Sequence, residues 1–151
     1  MKRTYIVFLI VGLLSLLFMY AAVVKAMDYG LFLSDMSKSP LLVKYDKTLL
    51  GPGVLGVEFL IVALLSFAAT RKSGLFLSFF VMLLFTLYLS TLYFFYTNIP
   101  CSCGGILGKM SYPAHIAFNG VFTLLGRQGY YCIKRTMQNE INSSMPVFLP
   151  R

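Results

Sequence analysis

Two uncharged apolar runs constrain this chain more than any other feature. Tyr5 to Val24 holds 20 residues and Leu75 to Asn98 holds 24, with no Asp, Glu, Lys or Arg in either. As helices rising about 1.5 Å per residue, each is long enough to cross roughly 30 Å of bilayer hydrocarbon. Composition agrees. Of 151 residues, 58% are hydrophobic and 12% charged, with a mean hydropathy of +0.79, which places the chain outside the soluble globular class.

Two further segments complete an expected bundle. Pro52 to Thr70 is apolar apart from Glu58, and Pro113 to about Ile133 carries only Arg127 and, just past its end, Lys134. The expected fold is therefore an all-α membrane protein, one domain over residues 1–151, with four transmembrane helices at about 5–26, 52–70, 75–98 and 113–133. The uncharged part of the fourth, Tyr112 to Gly126, would rise only about 22 Å. It must continue past Arg127, whose long side chain can snorkel to the interface. Lys2 and Arg3 ahead of the first run, with Val24-Lys25-Ala26 behind it, resemble a signal peptide. However, the run exceeds the roughly 7 to 15 residues of an h-region and Lys25 sits inside the supposed cleavage site, so the first helix is expected to be retained.

The formal charge of +8 reads as topology, and nothing in the chain resembles a nucleic-acid site. With both termini in the cytoplasm, the inner side holds Lys2, Arg3, the Arg71-Lys72 pair in a very short turn, Arg127, Lys134 and Arg135. The outer side holds Lys25, Lys38, Lys44, Lys47 and Lys109, offset by Asp28, Asp35 and Asp46 in the same loop. That arrangement in a bacterial inner membrane puts Cys101 and Cys103 in the periplasm, where thiol pairs oxidise and exchange. Residues Met27 to Gly53 interleave apolar and charged side chains and are broken by Pro40 and Pro52. They are expected to form short interfacial helices, a lid over the outer face. From Thr136 onward the polar cytoplasmic tail is expected to be loosely ordered.

The second and fourth spans both start on the outer side. Glu58 and Asn119 each lie six residues beyond a proline, Pro52 or Pro113, that is expected to open its helix, so both should sit about 9 Å in from one face. His115 lies one turn above Asn119 on the same helix face. Lys25 closes the first span at the same surface. One polar pocket in the outer third of the bundle, lined by all four helices, is the expectation.

Above it lies Pro100-Cys101-Ser102-Cys103-Gly104-Gly105. Two cysteines one residue apart can close only a small ring, more easily reduced than an ordinary structural disulfide. Gly104 and Gly105 leave the sulfurs uncrowded, and Lys109, the helix N-terminus near Pro113 and a protonated His115 would each favour a thiolate. Cys132 falls at the opposite end of the fourth helix and reads as an apolar filler.

This block, with His115-Ile-Ala-Phe-Asn119 downstream, Lys25 closing the first span and Glu58 early in the second, resembles the MauE/DoxX group of redox-associated membrane proteins. The resemblance spans nearly the whole chain. It implies a four-helix bundle in the bacterial inner membrane and a role in thiol-disulfide handling comparable to the maturation of a disulfide-rich periplasmic dehydrogenase subunit. Carried over, Cys101 and Cys103 would be the redox pair, with Lys25, Glu58, His115 and Asn119 as the polar residues of the motif. Tyr112 stands where an aromatic residue, often tryptophan, is expected.

The leading expectation is a thiol-disulfide oxidoreductase in which one thiolate attacks a redox partner's disulfide, His115 assists proton transfer and Glu58 orients it or relays the proton. Four-helix oxidases of the DsbB and vitamin K epoxide reductase type use two cysteine pairs, and this chain has one outside, which favours an exchanger or a partner-dependent subunit. The alternatives are an assembly or scaffold subunit whose disulfide shapes a loop, and a copper or zinc site of two thiolates and an imidazole, although a closed zinc site prefers four ligands. His115 and Asn119 would then serve as interhelical hydrogen-bonding groups, and Glu58 as a packing partner of Lys25 or His115. A quinone pocket among the Phe and Tyr residues stays open as a further cofactor reading, although no specific motif marks it.

Overall fold

Among the described residues, apolar side chains at three- and four-residue spacing wind the chain into five helices. The computed structural model describes residues 2–42, 44–96 and 111–144. The helices are α1 (Lys2–Met27), α2 (Tyr29–Lys38), α3 (Lys47–Ser66), α4 (Arg71–Phe95) and α5 (Tyr112–Ser144); no strand occurs among the described residues.

The four long helices close a ring. α1 packs on α3 and α5, α4 packs on α3 and α5, and the short α2 rests on α3 and α1. On α1 the buried seam is Val7, Ile10, Val11, Leu14, Phe18, Ala22 and Lys25, one face of a 3.6-residue helix. Ile10, Leu14, Ile61, Leu65 and Leu75 fill the centre with no exposure above 2%. Phe8, Leu16, Leu60, Phe80, Leu87 and Leu124 point outward and are exposed, the arrangement of a bundle whose solvent is hydrocarbon. Tyr5–Met27, Lys47–Ser66 and Arg71–Phe95 are long and apolar enough to cross a membrane.

The fourth expected span is a helix of the bundle, but it is not among those three, because Arg127, Gln128, Lys134 and Arg135 lower its apolar character. Nor does it stop near Ile133. No proline follows Pro113 until Pro146 and no glycine follows Gly129, so nothing breaks the helix before Ser144 and the expected loose tail from Thr136 is helical to that residue.

Two boundaries differ from expectation. Pro52 does not open the second long helix; α3 begins at Lys47, capped by Asp46, whose side chain accepts from Thr48 N at 2.9 Å. Pro52 is the sixth residue of α3, so the helix there forgoes the bond to the Thr48 carbonyl and must also accommodate the proline ring against it. Arg71 and Lys72 likewise open α4 instead of forming the turn, which is Phe67 to Thr70. Arg71 Nε and Thr70 Oγ1 donate to the Leu65 and Leu64 carbonyls at 3.4 and 2.9 Å, satisfying the last turn of α3. The Arg71 guanidinium also lies 4.9 Å from the centre of the Phe8 ring. Where α4 leaves this turn, a Cβ on Gly74 would stand 3.0 Å from the backbone of Leu64 and Leu65, so only glycine lets α3 and α4 approach this closely.

Candidate functional site

The seams of the long helices turn polar toward the end of the bundle that α2 covers. α5 shows the change along one face: its buried positions run Gly129, Gly126, Thr123, Asn119, His115, and the last three carry polar side chains. The glycines let the helix sit tight at the far end. At the near end, hydrogen-bonding groups replace close packing.

His115 and Asn119 meet Lys25 of α1 and Glu58 of α3 around a cavity of about 40 Å³, completed by Phe18 of α1 and Met82 and Phe85 of α4. All four long helices contribute. A void of this size admits a bridging water and is too small for an organic ligand.

Lys25 and Glu58 are 3% and 4% exposed, and Lys25 Nζ donates to Glu58 Oε1 in a buried ion pair. The ammonium also faces the rings of Phe32 and Phe85, at 5.9 and 5.7 Å from their centres, so aromatic faces take the place of the water it has lost. Phe32 belongs to α2, which places that helix as a cover over the pair. A Tyr88 Oη to Ser39 Oγ bond of 2.8 Å ties the chain just beyond α2 to α4. Among the described residues, Glu58 Oε2 is a buried oxygen with no hydrogen-bond partner, an expensive state for a carboxylate.

On α5, Thr123 Oγ1 donates to the Asn119 carbonyl at 2.8 Å and lies 3.4 Å from Thr86 Oγ1 of α4. The helix enters through Pro113, its second residue, and the His115 amide bonds back to the Ser111 carbonyl at 3.0 Å. His115 is 2% exposed. A carboxylate with a free oxygen, an imidazole, an amide and an ammonium around a water-sized void form a group that can hold and pass a proton away from bulk solvent.

Of the residues singled out in the sequence, Lys25, Glu58, His115 and Asn119 come together here. Glu58 lies 11 residues into α3 and Asn119 seven into α5, yet they share the cavity, because α3 begins about a turn farther out, beneath α2. Cys101, Cys103, Gly104 and Gly105 lie outside the described residues. Cys132 is half-buried against the apolar core at the opposite end of α5. Among the described residues no three His, Cys, Asp or Glu side chains gather as metal ligands. The sequence reading missed Phe32, Phe85, Thr86 and Thr123. Only Thr123 was findable, as the next i+4 step after His115 and Asn119.

No curated protein and no solved structure matches the chain. A family model described as methylamine utilisation protein MauE matches residues 3–132. That match takes in every helix of the polar cluster as well as the Cys-x-Cys segment between α4 and α5, and with the membrane-length helices above it establishes the chain as a multi-pass membrane protein belonging to the MauE family.

Proposed function

We propose that the protein carries out thiol-disulfide exchange at the periplasmic face of the bacterial inner membrane, passing disulfides between Cys101–Cys103 and a partner protein. The observation that carries this reading is the cluster of Lys25, Glu58, His115 and Asn119 at the end of α5 that follows the cysteine segment in the chain. His115 stands one turn inside that helix. In the forward direction one cysteine thiolate attacks a partner disulfide and expels a partner thiolate. The second cysteine then resolves the mixed disulfide, leaving Cys101–Cys103 oxidised and the partner as a dithiol; the reverse sequence oxidises the partner. His115 takes the thiol proton, and Glu58, fixed by Lys25, steadies the charge beside it.

The topology that supports this function has both termini in the cytoplasm, with α5 as the fourth span and α2 in the membrane interface. It rests on basic residues at one end of the helices: Arg71 and Lys72 opening α4, and Arg127, Lys134 and Arg135 along α5. The family's description supports a partner among proteins of methylamine utilisation.

Single Cys101→Ser and Cys103→Ser variants test the reading. One of them should accumulate a covalent, reductant-sensitive adduct that mass spectrometry identifies. Full function in the double variant, with no adduct from either single variant, would exclude exchange and leave a scaffold role.

A further inference from the structure

At the end of the bundle opposite the polar cluster, α4 and α5 carry a cationic cleft on their outward side. Gly126 of α5 passes so close to α4 that a Cβ there would stand 3.3 Å from the Phe79 backbone. Beside this contact, Phe76 and Phe79 of α4 with Arg127, Tyr130 and Tyr131 of α5 line a recess of about 100 Å³. The Phe76 and Tyr130 rings lie 5.7 Å apart, and the Arg127 guanidinium lies 5.7 Å from the centre of the Tyr131 ring. Phe76 and Tyr131 are 54% and 50% exposed, and Phe76 belongs to a helix long and apolar enough to span a membrane. The recess therefore opens sideways into the bilayer. It is too small to enclose a ligand and grips only part of an apolar chain lying along it.

The charge at this cleft is unspent. Arg71, at the same end, gives its guanidinium to the Leu65 carbonyl and the Phe8 ring. Arg127 is exposed and has no hydrogen-bond or ion-pair partner among the described residues. Lys134 and Arg135 follow at i+7 and i+8, on the same helix stripe, exposed and equally unpaired. The carboxylates among the described side chains are Asp28, Asp35, Asp46 and Glu58, none of them on α4 or α5. Glu140 stands 13 residues beyond Arg127, about 20 Å along the axis. Depth supplies the counter-charge. Phe76 is the sixth residue of α4, about 7.5 Å from its start, and the headgroup layer is roughly 5–8 Å thick on each side of the hydrocarbon. A guanidinium on a flexible stem at that depth reaches the level of lipid phosphates.

We propose that this cleft binds one anionic phospholipid, its phosphate held by the Arg127 fork and one acyl chain lying against Phe76, Phe79 and Tyr130. Guanidinium and phosphate match as a bidentate pair. Lys134 and Arg135 select a head of net negative charge, because the amine of a zwitterionic head would meet two further cations. The site depends neither on the cysteines nor on which way the bundle faces.

The test is native mass spectrometry of the full chain released from detergent micelles, titrated with dioleoylphosphatidylglycerol and, separately, with dioleoylphosphatidylcholine. The first phosphatidylglycerol should bind at least about tenfold more tightly than the first phosphatidylcholine, since each unpaired Lys or Arg near a headgroup is worth roughly fivefold. Arg127→Gln should weaken phosphatidylglycerol by about tenfold, the loss of a charge-assisted hydrogen bond. Lys134→Gln/Arg135→Gln should lower phosphatidylglycerol affinity by about fivefold per charge and leave phosphatidylcholine nearly unchanged. Glycerol phosphate, the head without chains, should not displace the lipid at matched concentration. Equal affinity for the two lipids, or undiminished phosphatidylglycerol binding in Arg127→Gln protein that keeps its helical circular dichroism, would overturn the proposal. Displacement by glycerol phosphate would overturn it too, because the site would then be one for free phosphate esters.

Discussion

Lys25 and Glu58 keep their charges inside an apolar bundle because each supplies what the other lost on leaving water, and Phe32 and Phe85 complete the ammonium's surroundings. Removing one partner strands the other. Lys25→Met or Glu58→Leu alone should cost about 3–5 kcal/mol, whereas the double substitution should cost clearly less than the sum because no charge remains unpaired. Unfolding in mixed detergent micelles measures all three variants. A strictly additive double variant would mean that the two side chains do not act as a pair. Part of this cluster was legible in the sequence for simple reasons. Lys25, Glu58, His115 and Asn119 stand out in an apolar chain, and helical rise converts their positions into depth. Phe32 and Phe85 did not stand out. Phenylalanine is common here, with 14 in the chain, and its role as a cover over a cation depends on where α2 folds back.

At the scale of the element, the start of α3 carries a pH-sensitive device. Asp46 accepts from Thr48 Oγ1 at 2.6 Å and from Thr48 N at 2.9 Å. The Thr48 side-chain bond, then its backbone bond, holds the carboxyl below the usual aspartate range, with a smaller contribution from Lys47. A lowered value in the folded state means the cap's contribution is complete above the ordinary aspartate range and fades as pH falls through the folded value. Amide protection at Leu49 and Leu50, whose N–H groups bond to the Asp46 carbonyl, should fall on acidification in the natural chain. In Asp46→Ala it should be low at every pH. Packing between elements is tested at Gly74. Valine there would drive a Cβ against the α3 backbone, and the strain should cost about 1–3 kcal/mol. Gly12→Ala, facing open space, should be neutral or stabilise by about 0.5–1 kcal/mol. Helix existence was readable from apolar run length, but the edges were not. Proline and arginine suggested boundaries at Pro52 and Arg71, and both were overridden by hydrogen bonds: the Asp46 cap, and the reach of Arg71 to α3 carbonyls.

For the whole molecule the decisive measurement is topology. A green fluorescent protein fused after Ser144 should fluoresce, and alkaline phosphatase at the same point should stay inactive. Phosphatase inserted at Lys44, between α2 and α3, should be active. Active phosphatase at both Lys44 and Ser144 would mean that α5 does not cross. The three apolar helices were legible because hydrocarbon demands long uncharged runs. α5 was harder to read, because its buried face is built from His115, Asn119, Thr123 and glycines, and hydropathy underrates a helix held by polar and small residues.

The position of the ion pair has an electrical meaning. Lys25 lies two residues before the end of Tyr5–Met27, about 3 Å along the axis, while most of the bundle's length separates it from the turn at Thr70. A membrane potential does about 2.3 kcal/mol of work per elementary charge for each 100 mV crossed. Glu58 lies 11 residues into Lys47–Ser66, about 16 Å along the axis, so the pair joins an ammonium near the end that α2 covers to a carboxylate set deeper in its span. A proton moving between that end and Glu58 crosses part of the drop, and its transfer therefore responds to whether the cell is energised.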